Sequence, residues 1–357
     1  MKTNLIIPDE LRFAITRKCN GKCRHCYNMS GKDTDKLSTE KIIEILKEVH
    51  SINPSLDRIT LTGGEPLKEK NRVLEISRAA KSMKIRVRLV TRGWELNNEL
   101  CRELKNAGIT RIQIGLDSSG EFKYSDKNQT EWDTYHSWLR NDQEGFQKTV
   151  HSIRTALYEG LNVSIRYSAC KSNLKDICRT YLFVSSLGVS KFKFRLLFPD
   201  GRAKNSLTKE LITGEELAKA QYDLIASSKN QKTEAEITQP CLYNLPNKMK
   251  KDSNSVVHNS YKQACSCGTV AAYIDSNGDV KYCLFDEDIL GNIFDKSFMD
   301  VWNSSTAEQV RVLRCPLDRS GYSCSSFKLL YTQFDNYSGF MNEYSQAVRK
   351  RLTDDKA

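Results

Sequence analysis

Three cysteines near the start of the chain have the chemistry and spacing of a metal-binding loop. Cys19, Cys23 and Cys26 lie in the segment Cys19-Asn-Gly-Lys-Cys-Arg-His-Cys26. Three thiolates on one loop can hold three irons of a 4Fe–4S cluster. Because such clusters usually take four thiolates, the fourth iron would stay open to another ligand. From this loop alone, the alternatives are an ordinary electron-transfer cluster or a zinc site with His25 or a distant cysteine as the fourth ligand.

A second candidate site is the segment Thr62-Gly-Gly-Glu-Pro66. Two glycines allow the backbone to approach a ligand closely, and the carboxylate of Glu65 beside them can hold an ammonium group. By itself, however, the Gly63-Gly64 pair predicts only a turn.

The elements that must position these residues alternate between short apolar runs and helical patterns. Six strands separated by helices predict a parallel α/β sheet with right-handed crossovers, and six units are enough for a partial (β/α)6 barrel. The predicted strands are 11–16, 58–62, 86–91, 111–116, 162–168 and 191–198. The cysteine loop follows the first strand and Gly63-Gly64-Glu65 follows the second, so both are expected at the ligand-binding mouth of the sheet. The polar segment 118–141 is either a flexible loop or a substrate-side insertion.

The two motifs together resemble the radical S-adenosylmethionine (radical SAM) superfamily, and the resemblance covers residues 11 to about 200. It implies that the amino and carboxylate groups of SAM chelate the open iron of a cluster held by Cys19, Cys23 and Cys26. It also implies that the reduced cluster cleaves SAM to methionine and a 5′-deoxyadenosyl radical, which abstracts a hydrogen atom from the substrate. The SAM-binding residues that the resemblance implies are Gly63, Gly64, Glu65, Thr91, Ser118 and Arg166. Arg92 departs from the Thr-Asn-Gly sequence of many relatives, and Arg166 could instead be a charge on the outer edge of a strand.

The C-terminal part carries a second group of cysteines around an Asn277-Gly278 hairpin signal. The order of Cys265, Cys267, the hairpin and Cys283 resembles the start of the SPASM/twitch auxiliary-cluster domain of radical SAM enzymes.

Downstream, the resemblance to that domain is incomplete. Cys315 and Cys324 match two of the four cysteines of a full SPASM domain, and Asp318 and Lys328 occupy the other two places. The resemblance therefore implies one auxiliary 4Fe–4S cluster, with candidate ligands Cys265, Cys267, Cys283, Cys315 and Cys324. The alternative is a structural zinc ribbon.

Composition and charge limit the class of protein. The 357 residues carry a formal net charge of +11, with 12 cysteines. No run approaches the roughly 18 apolar residues of a membrane helix, and the start lacks a signal-peptide pattern, so we expect a soluble, cytoplasmic chain. The basic residues are scattered, which makes nucleic acid an unexpected partner. They form either a solvated surface or a docking face for an acidic electron donor such as flavodoxin or ferredoxin.

Four sequence regions are expected: a radical SAM partial barrel (1–200), a helical and linker segment (201–240), an auxiliary-cluster domain (241–330), and a C-terminal helix and tail (331–357). The implied function is that of a radical SAM oxidoreductase or isomerase that modifies a peptide by cross-linking, epimerisation or side-chain oxidation. The alternative is dehydrogenation or rearrangement of a small natural product such as a sugar or aminocyclitol. A non-enzymatic iron–sulfur module is disfavoured because a structural cluster needs no SAM site.

Overall fold

The computed structural model describes residues 5–32, 34–121, 123–126, 128–237, 255–257, 270–284, 288–314, 343, 344, 346, 347 and 350. The chain forms two compact units that are not consecutive in sequence. The first unit contains Met1–Lys22, Ser30–Gln113 and Ala264–Phe327. The second unit contains Cys23–Met29, Ile114–Gln263 and Lys328–Ala357.

The strands within the described residues are β1 (Glu10–Thr16), β2 (Arg58–Gly63), β3 (Arg86–Thr91), β4 (Ile109–Gly115), β5 (Tyr124–Ser125), β6 (Glu131–Trp132), β7 (Val163–Ala169), β8 (Lys191–Leu196), β9 (Glu234–Ile237), β10 (Ser255–Val257), β11 (Ala271–Ile274), β12 (Asp279–Lys281) and β13 (Ile289–Asn292). The α-helices are α1 (Thr39–Ile52), α2 (Lys70–Ser82), α3 (Asn98–Ala107), α4 (Tyr135–Arg140), α5 (Gly145–Tyr158), α6 (Ile177–Ser186), α7 (Arg202–Ser206), α8 (Gly214–Ser227), α9 (Phe298–Trp302) and α10 (Ser305–Arg314).

In the first unit, β1 is central and parallel to both of its neighbours. Glu10 pairs with Arg58 of β2 on one side and with Ala271 of β11 on the other. β3 continues the parallel pairing beyond β2, whereas β12 and β13 extend the sheet beyond β11 as antiparallel strands. The central strand β1 is buried at six of its seven residues, as expected for a sheet covered by helices.

Helix α1 shows how local sequence sets the helices around this sheet. Its N-cap is Ser38, whose side chain accepts a hydrogen bond from the backbone N–H of Lys41 at 3.2 Å. The buried residues Ile42, Leu46 and Val49 recur at helical spacing and face the core.

In the second unit, β7, β8, β9 and β10 pair in that order, and all pairs are parallel. Ser164 of β7 pairs with Lys191 of β8, which in turn pairs with Glu234 of β9. β4 crosses the division between the two units, since its last two residues belong to the second.

All six predicted strands are present, as β1, β2, β3, β4, β7 and β8. Two other predictions need correction. The segment 201–240, predicted as helical and linker, also contains a strand, because Glu234–Ile237 forms β9 against β8. Of the two alternatives for residues 118–141, the flexible loop is wrong, because the segment contains the β5–β6 hairpin and helix α4. No helix of the described ranges is long and apolar enough to span a membrane.

Candidate functional site

The start of the cysteine loop is fixed within the first unit by Asp35. Its carboxylate accepts hydrogen bonds from the Thr16 hydroxyl and from the backbone N–H of Arg17, the latter at 2.7 Å. The Thr16 hydroxyl oxygen also accepts a hydrogen bond from the backbone N–H of Lys18 at 3.0 Å. Cys19 follows directly, and its Sγ accepts a hydrogen bond from the backbone N–H of Gly21 at 3.3 Å.

Gly63 and Gly64 are needed because the end of β2 packs directly on the backbone before Cys19. The N–H of Gly64 donates to the carbonyl of Thr16 at 2.7 Å, and the N–H of Glu65 donates to the carbonyl of Lys18 at 2.8 Å. A Cβ on Gly63 would overlap the Thr16 carbonyl, and one on Gly64 would overlap the Lys18 carbonyl. The close approach of the Thr16 and Lys18 backbone is a reason for glycine at both positions that the sequence did not indicate.

The Glu65 carboxylate ties the end of β2 to the end of β3. Oε1 accepts hydrogen bonds from the Thr91 hydroxyl at 2.6 Å and the Leu67 N–H at 3.1 Å, and Oε2 accepts one from the Arg92 N–H at 3.0 Å. The side chain is 1% exposed. Burial and the nearby Glu95 charge raise the pKa of Glu65, although these three hydrogen bonds oppose the rise.

Arg92 also lies at this site, although no role was predicted for it. Its guanidinium lies 4.0 Å from the ring centroid of Trp94. It also hydrogen-bonds to the Asn20 side chain next to Cys19, and its Nη2 lies 3.8 Å from a carboxylate oxygen of Glu95. The departure of Arg92 from the Thr-Asn-Gly pattern was the signal that could have found it.

In the second unit, the segment Cys23–Met29 docks on the C-terminal end of α4. The backbone N–H of Arg24 donates to the carbonyl of Leu139 at 2.8 Å. The Arg24 side chain donates to the Trp138 carbonyl at 3.0 Å and to the Asn141 side chain at 3.1 Å. Its guanidinium also lies over the ring of Trp138, 5.1 Å from the centroid. Helix α4, which lies within residues 118–141, therefore supports the segment Cys23–Met29.

Gly201 and Arg202, just after β8, hold the same loop from another side. The Arg202 backbone N–H donates to the carbonyl of Cys26 at 3.0 Å, and its Nε donates to the carbonyl of Cys23 at 2.8 Å. Gly201 has a φ of +57°, and a Cβ there would overlap the carbonyl of Tyr27.

Ser118 and its neighbour Asp117 follow β4 and are both buried. The Ser118 hydroxyl accepts a hydrogen bond from the backbone N–H of His136 at 3.3 Å. The Asp117 carboxylate accepts from Nε and Nη2 of Arg140 at 3.1 and 2.9 Å and from the Ser168 N–H at 2.9 Å. Burial would raise the pKa of Asp117, but the Arg140 guanidinium and then the His136 side chain hold it far below its usual range.

Arg166 lies in β7 and is partly buried. Among the described residues, its Nε has no hydrogen-bond partner. Burial, and then repulsion from Arg195, lowers the pKa of Arg166. Arg166 is therefore not a fully solvated charge on a strand edge.

In the auxiliary region, Cys283 follows β12 and is buried. The predicted Asn277-Gly278 turn is present before β12: Gly278 has a φ of +91°, and its N–H donates to the Asp275 carbonyl at 2.9 Å. The remaining candidate ligands lie outside the described residues, namely Cys265, Cys267, Cys315 and Cys324. Within the part of the chain that the structure describes, no three His, Cys, Asp or Glu side chains stand together as a preformed metal site.

Comparisons with protein families match both parts of the chain. The model described as "Radical SAM superfamily" matches residues 13–184, and the SPASM model, described as "Iron-sulfur cluster-binding domain", matches residues 265–326. These matches confirm the fold and the cofactor classes that the sequence predicted: SAM, a 4Fe–4S cluster and auxiliary iron–sulfur binding.

Among curated proteins, the chain is similar to the AdoMet-dependent heme synthase of Methanosarcina barkeri, with 26% identity over 88% of this chain and 87% of that protein. It is also similar to the sporulation killing factor maturation protein SkfB of Bacillus subtilis, with 23% identity over 85% of this chain and 67% of that protein.

Solved structures agree on the fold. Streptococcus suis SuiB bound to the precursor peptide SuiA has a TM-score of 0.68 at 17% identity, over 91% of this chain and 72% of that chain. The anSMEcpe structure with bound AdoMet and the Cp18Cys peptide has a TM-score of 0.61 at 16% identity, over 98% of this chain and 99% of that chain.

Proposed function

Because the chain belongs to the radical SAM superfamily and carries a SPASM iron–sulfur domain, we propose that it uses a SAM-derived radical to modify a peptide oxidatively. The radical SAM domain binds SAM and a 4Fe–4S cluster. When bound, the cluster supplies the electron that cleaves SAM. The proposed class is oxidoreductase, with cross-linking, epimerisation or side-chain oxidation as the change in the peptide.

Cys19, Cys23 and Cys26 would hold the SAM-cleaving cluster. Their chemistry fits, since all three donors are thiols on one loop, which are the ligands that a 4Fe–4S cluster takes. His25, between the second and third cysteine, is held neutral because burial, and then Arg140, lower its pKa to about 3.

The residues proposed to bind SAM are Gly63, Gly64, Glu65, Thr91, Ser118 and Arg166. An ionised carboxylate has about four acceptor positions, and Glu65 uses two on Oε1 and one on Oε2. One acceptor position on Oε2 therefore remains for the ammonium group of SAM. The role of Thr91 is to orient that carboxylate, since its hydroxyl donates to Oε1.

The auxiliary cluster is proposed to be a single 4Fe–4S cluster with ligands drawn from Cys265, Cys267, Cys283, Cys315 and Cys324. Such a cluster can take an electron from a substrate radical, which would suit a net oxidation. The electron that reduces the SAM-cleaving cluster would come from an acidic flavodoxin or ferredoxin attracted by the net positive charge.

One observation carries the choice of a peptide. The chain and anSMEcpe overlap over 98% and 99% of their lengths, and that structure holds a bound peptide. SuiB with its precursor peptide and the maturation protein SkfB support the same choice.

A tetrapyrrole is the second candidate substrate. The AdoMet-dependent heme synthase matches this chain over a larger share of both lengths than SkfB does. This candidate falls within the small-molecule alternative that the sequence left open.

One experiment separates the candidates. Anaerobically reconstituted protein is incubated with SAM and dithionite, either with peptides encoded beside the gene or with iron porphyrins, and products are identified by mass spectrometry. A peptide that loses hydrogens with matched formation of 5′-deoxyadenosine supports the proposal. Conversion of the porphyrin alone would replace it by the second candidate. The variant with Cys19, Cys23 and Cys26 all changed to Ala is the control, and undiminished 5′-deoxyadenosine from it would refute the cluster assignment.

A further inference from the structure

Arg140, the last residue of α4, is held in one position by buried partners. Its Nε and Nη2 donate to the Asp117 carboxylate at 3.1 and 2.9 Å. Gly115 makes room for it, because a Cβ there would overlap Nη2 and lie 3.0 Å from the central guanidinium carbon. A side chain fixed on both faces presents its remaining N–H groups in a defined direction.

The remaining N–H groups of Arg140 face Cys23 in the cysteine loop. The backbone N–H of Arg24 donates to the carbonyl of Leu139, the residue before Arg140, at 2.8 Å. This bond places Cys23 beside the end of α4, where the Arg140 guanidinium is hydrogen-bonded to the Cys23 side chain. Because a guanidinium has donors and no acceptor, the bond runs from an Arg140 N–H to the sulfur.

We propose that Arg140, oriented by Asp117, donates a hydrogen bond to the Cys23 sulfur and thereby raises the reduction potential of the SAM-cleaving cluster. Arg140 is a positioning and tuning residue in this role and does not itself react. The inference rests on the proposed ligand role of Cys23. It goes beyond that role because it assigns a function to a residue outside the cysteine loop.

The physical reason is electrostatic. Reduction adds one electron, supplied from outside by dithionite or by a low-potential ferredoxin or flavodoxin, and makes the thiolate-bound cluster more negative. A cation hydrogen-bonded to one of its sulfurs stabilises the reduced form more than the oxidised form. Hydrogen bonds to cluster sulfurs are among the known determinants of iron–sulfur potentials.

Arg24 provides a matched control on the same loop. It carries the same charge and is next to Cys23 in sequence, but its guanidinium donates to the Trp138 carbonyl and to the Asn141 side chain. Losing Arg24 should therefore loosen the loop without removing the cation beside the sulfur.

The test is a potentiometric titration of the reconstituted protein, followed by electron paramagnetic resonance. The signal of the SAM-cleaving cluster is recognised by its response to added SAM, and bound iron and sulfide are measured in every sample. We expect Arg140→Gln to lower the equilibrium constant for one-electron reduction by at least about tenfold, which corresponds to about 59 mV. Arg140→Lys, which keeps the charge, should recover most of the loss. Arg24→Gln should change the constant by about threefold or less, because the Arg24 guanidinium donates to Trp138 and Asn141.

Removing Arg140 alone leaves the buried Asp117 carboxylate without its cationic partner, and an unpaired buried charge can unfold the protein. The double variant Arg140→Gln with Asp117→Asn removes both charges, and we expect it to fold and to lower the constant by less than the single variant.

Four results would overturn the proposal. These are an unchanged potential in loaded Arg140→Gln, an equal shift in Arg24→Gln, no recovery in Arg140→Lys, or loss of the cluster from the Arg140 variants alone. None of these measurements uses the substrate, so they stand whichever substrate is correct. Failure of the cysteine assignment would appear separately, as a SAM-responsive signal in the variant that lacks all three cysteines.

Discussion

Replacing Glu65 by Gln separates its two roles, because Gln keeps the size of the side chain and loses its charge. The amide oxygen can still accept from Thr91 and Leu67, but the amide nitrogen then faces the N–H of Arg92, two donors in contact. Leaving that buried N–H without an acceptor should cost about 1–3 kcal/mol of stability. The loss of a charge-assisted hydrogen bond to the SAM ammonium, worth about 1.5–3 kcal/mol, should weaken SAM affinity by roughly 10- to 100-fold.

The assay combines equilibrium SAM binding to the reconstituted protein with urea unfolding of the same preparation. Glu95→Gln is the matched control, since it removes the same charge nearby but its side chain is 21% exposed and pairs with Lys68. We expect Glu95→Gln to leave SAM affinity within about threefold of the wild type. If folded Glu65→Gln binds SAM as tightly as the wild type, the carboxylate only joins β2 to β3 and the ammonium assignment is wrong.

The pH dependence of binding provides a second readout for the same residue. Burial and Glu95 raise the pKa of Glu65, and only the ionised carboxylate attracts an ammonium group. SAM affinity should therefore fall as the pH decreases through this raised pKa, above the range of an ordinary Glu. The Glu65→Gln variant should lack this dependence, and an identical pH profile in both proteins would contradict the reasoning.

Three further predictions follow from other parts of the chain. Gly64→Ala should lower the free energy of unfolding, measured in urea, by about 1–3 kcal/mol, because its Cβ would be forced against the Lys18 carbonyl. Gly188→Ala is the control: a Cβ there meets nothing within 4 Å and only the φ of +88° is unfavourable, so the free energy of unfolding should fall by less. Burial would raise the pKa of Glu10, but Arg12 and other arginines around the carboxylate hold that pKa far below its usual range. The ionised Glu10 therefore stabilises the fold above the unfolded pKa of about 4.3, and this stabilisation is lost as the pH falls through the lower folded pKa. Glu10→Gln should remove that part of the acid sensitivity, as unfolding at several pH values would reveal. Reconstituted wild-type protein should hold about eight irons as two 4Fe–4S clusters, and Cys283→Ala about four, while about twelve in the wild type would disprove a single auxiliary cluster.

The reaction class could be predicted from sequence because its determinants are local. Cys19, Cys23 and Cys26 lie on one short loop, and Gly63-Gly64-Glu65 is a continuous segment, so spacing along the chain is enough to recognise both. The six strands could also be predicted, because a buried parallel strand must be a short apolar run bounded by turns.

Other features depended on contacts between residues that are distant in sequence. Nothing in the polar segment 229–238 indicates a strand, because Glu234–Ile237 becomes one only by pairing with β8, where the Glu236 carboxylate is neutralised by Lys193 and Arg195. Tertiary pairing thus overrides a local pattern that reads as a linker.

The environment of the site was likewise decided by the tertiary structure. Spacing identifies Cys23 as a candidate ligand, but only the fold shows that the end of α4 and the residues after β8 hold its loop, and that Arg140 lies beside its sulfur. The charge of a side chain is known from the sequence. The direction in which the buried Arg140 guanidinium points depends on tertiary contacts, namely the hydrogen bonds to Asp117 and the room that Gly115 leaves. The sequence alone determined which chemistry the chain carries; the packing of distant segments determined the electrostatic setting in which that chemistry operates.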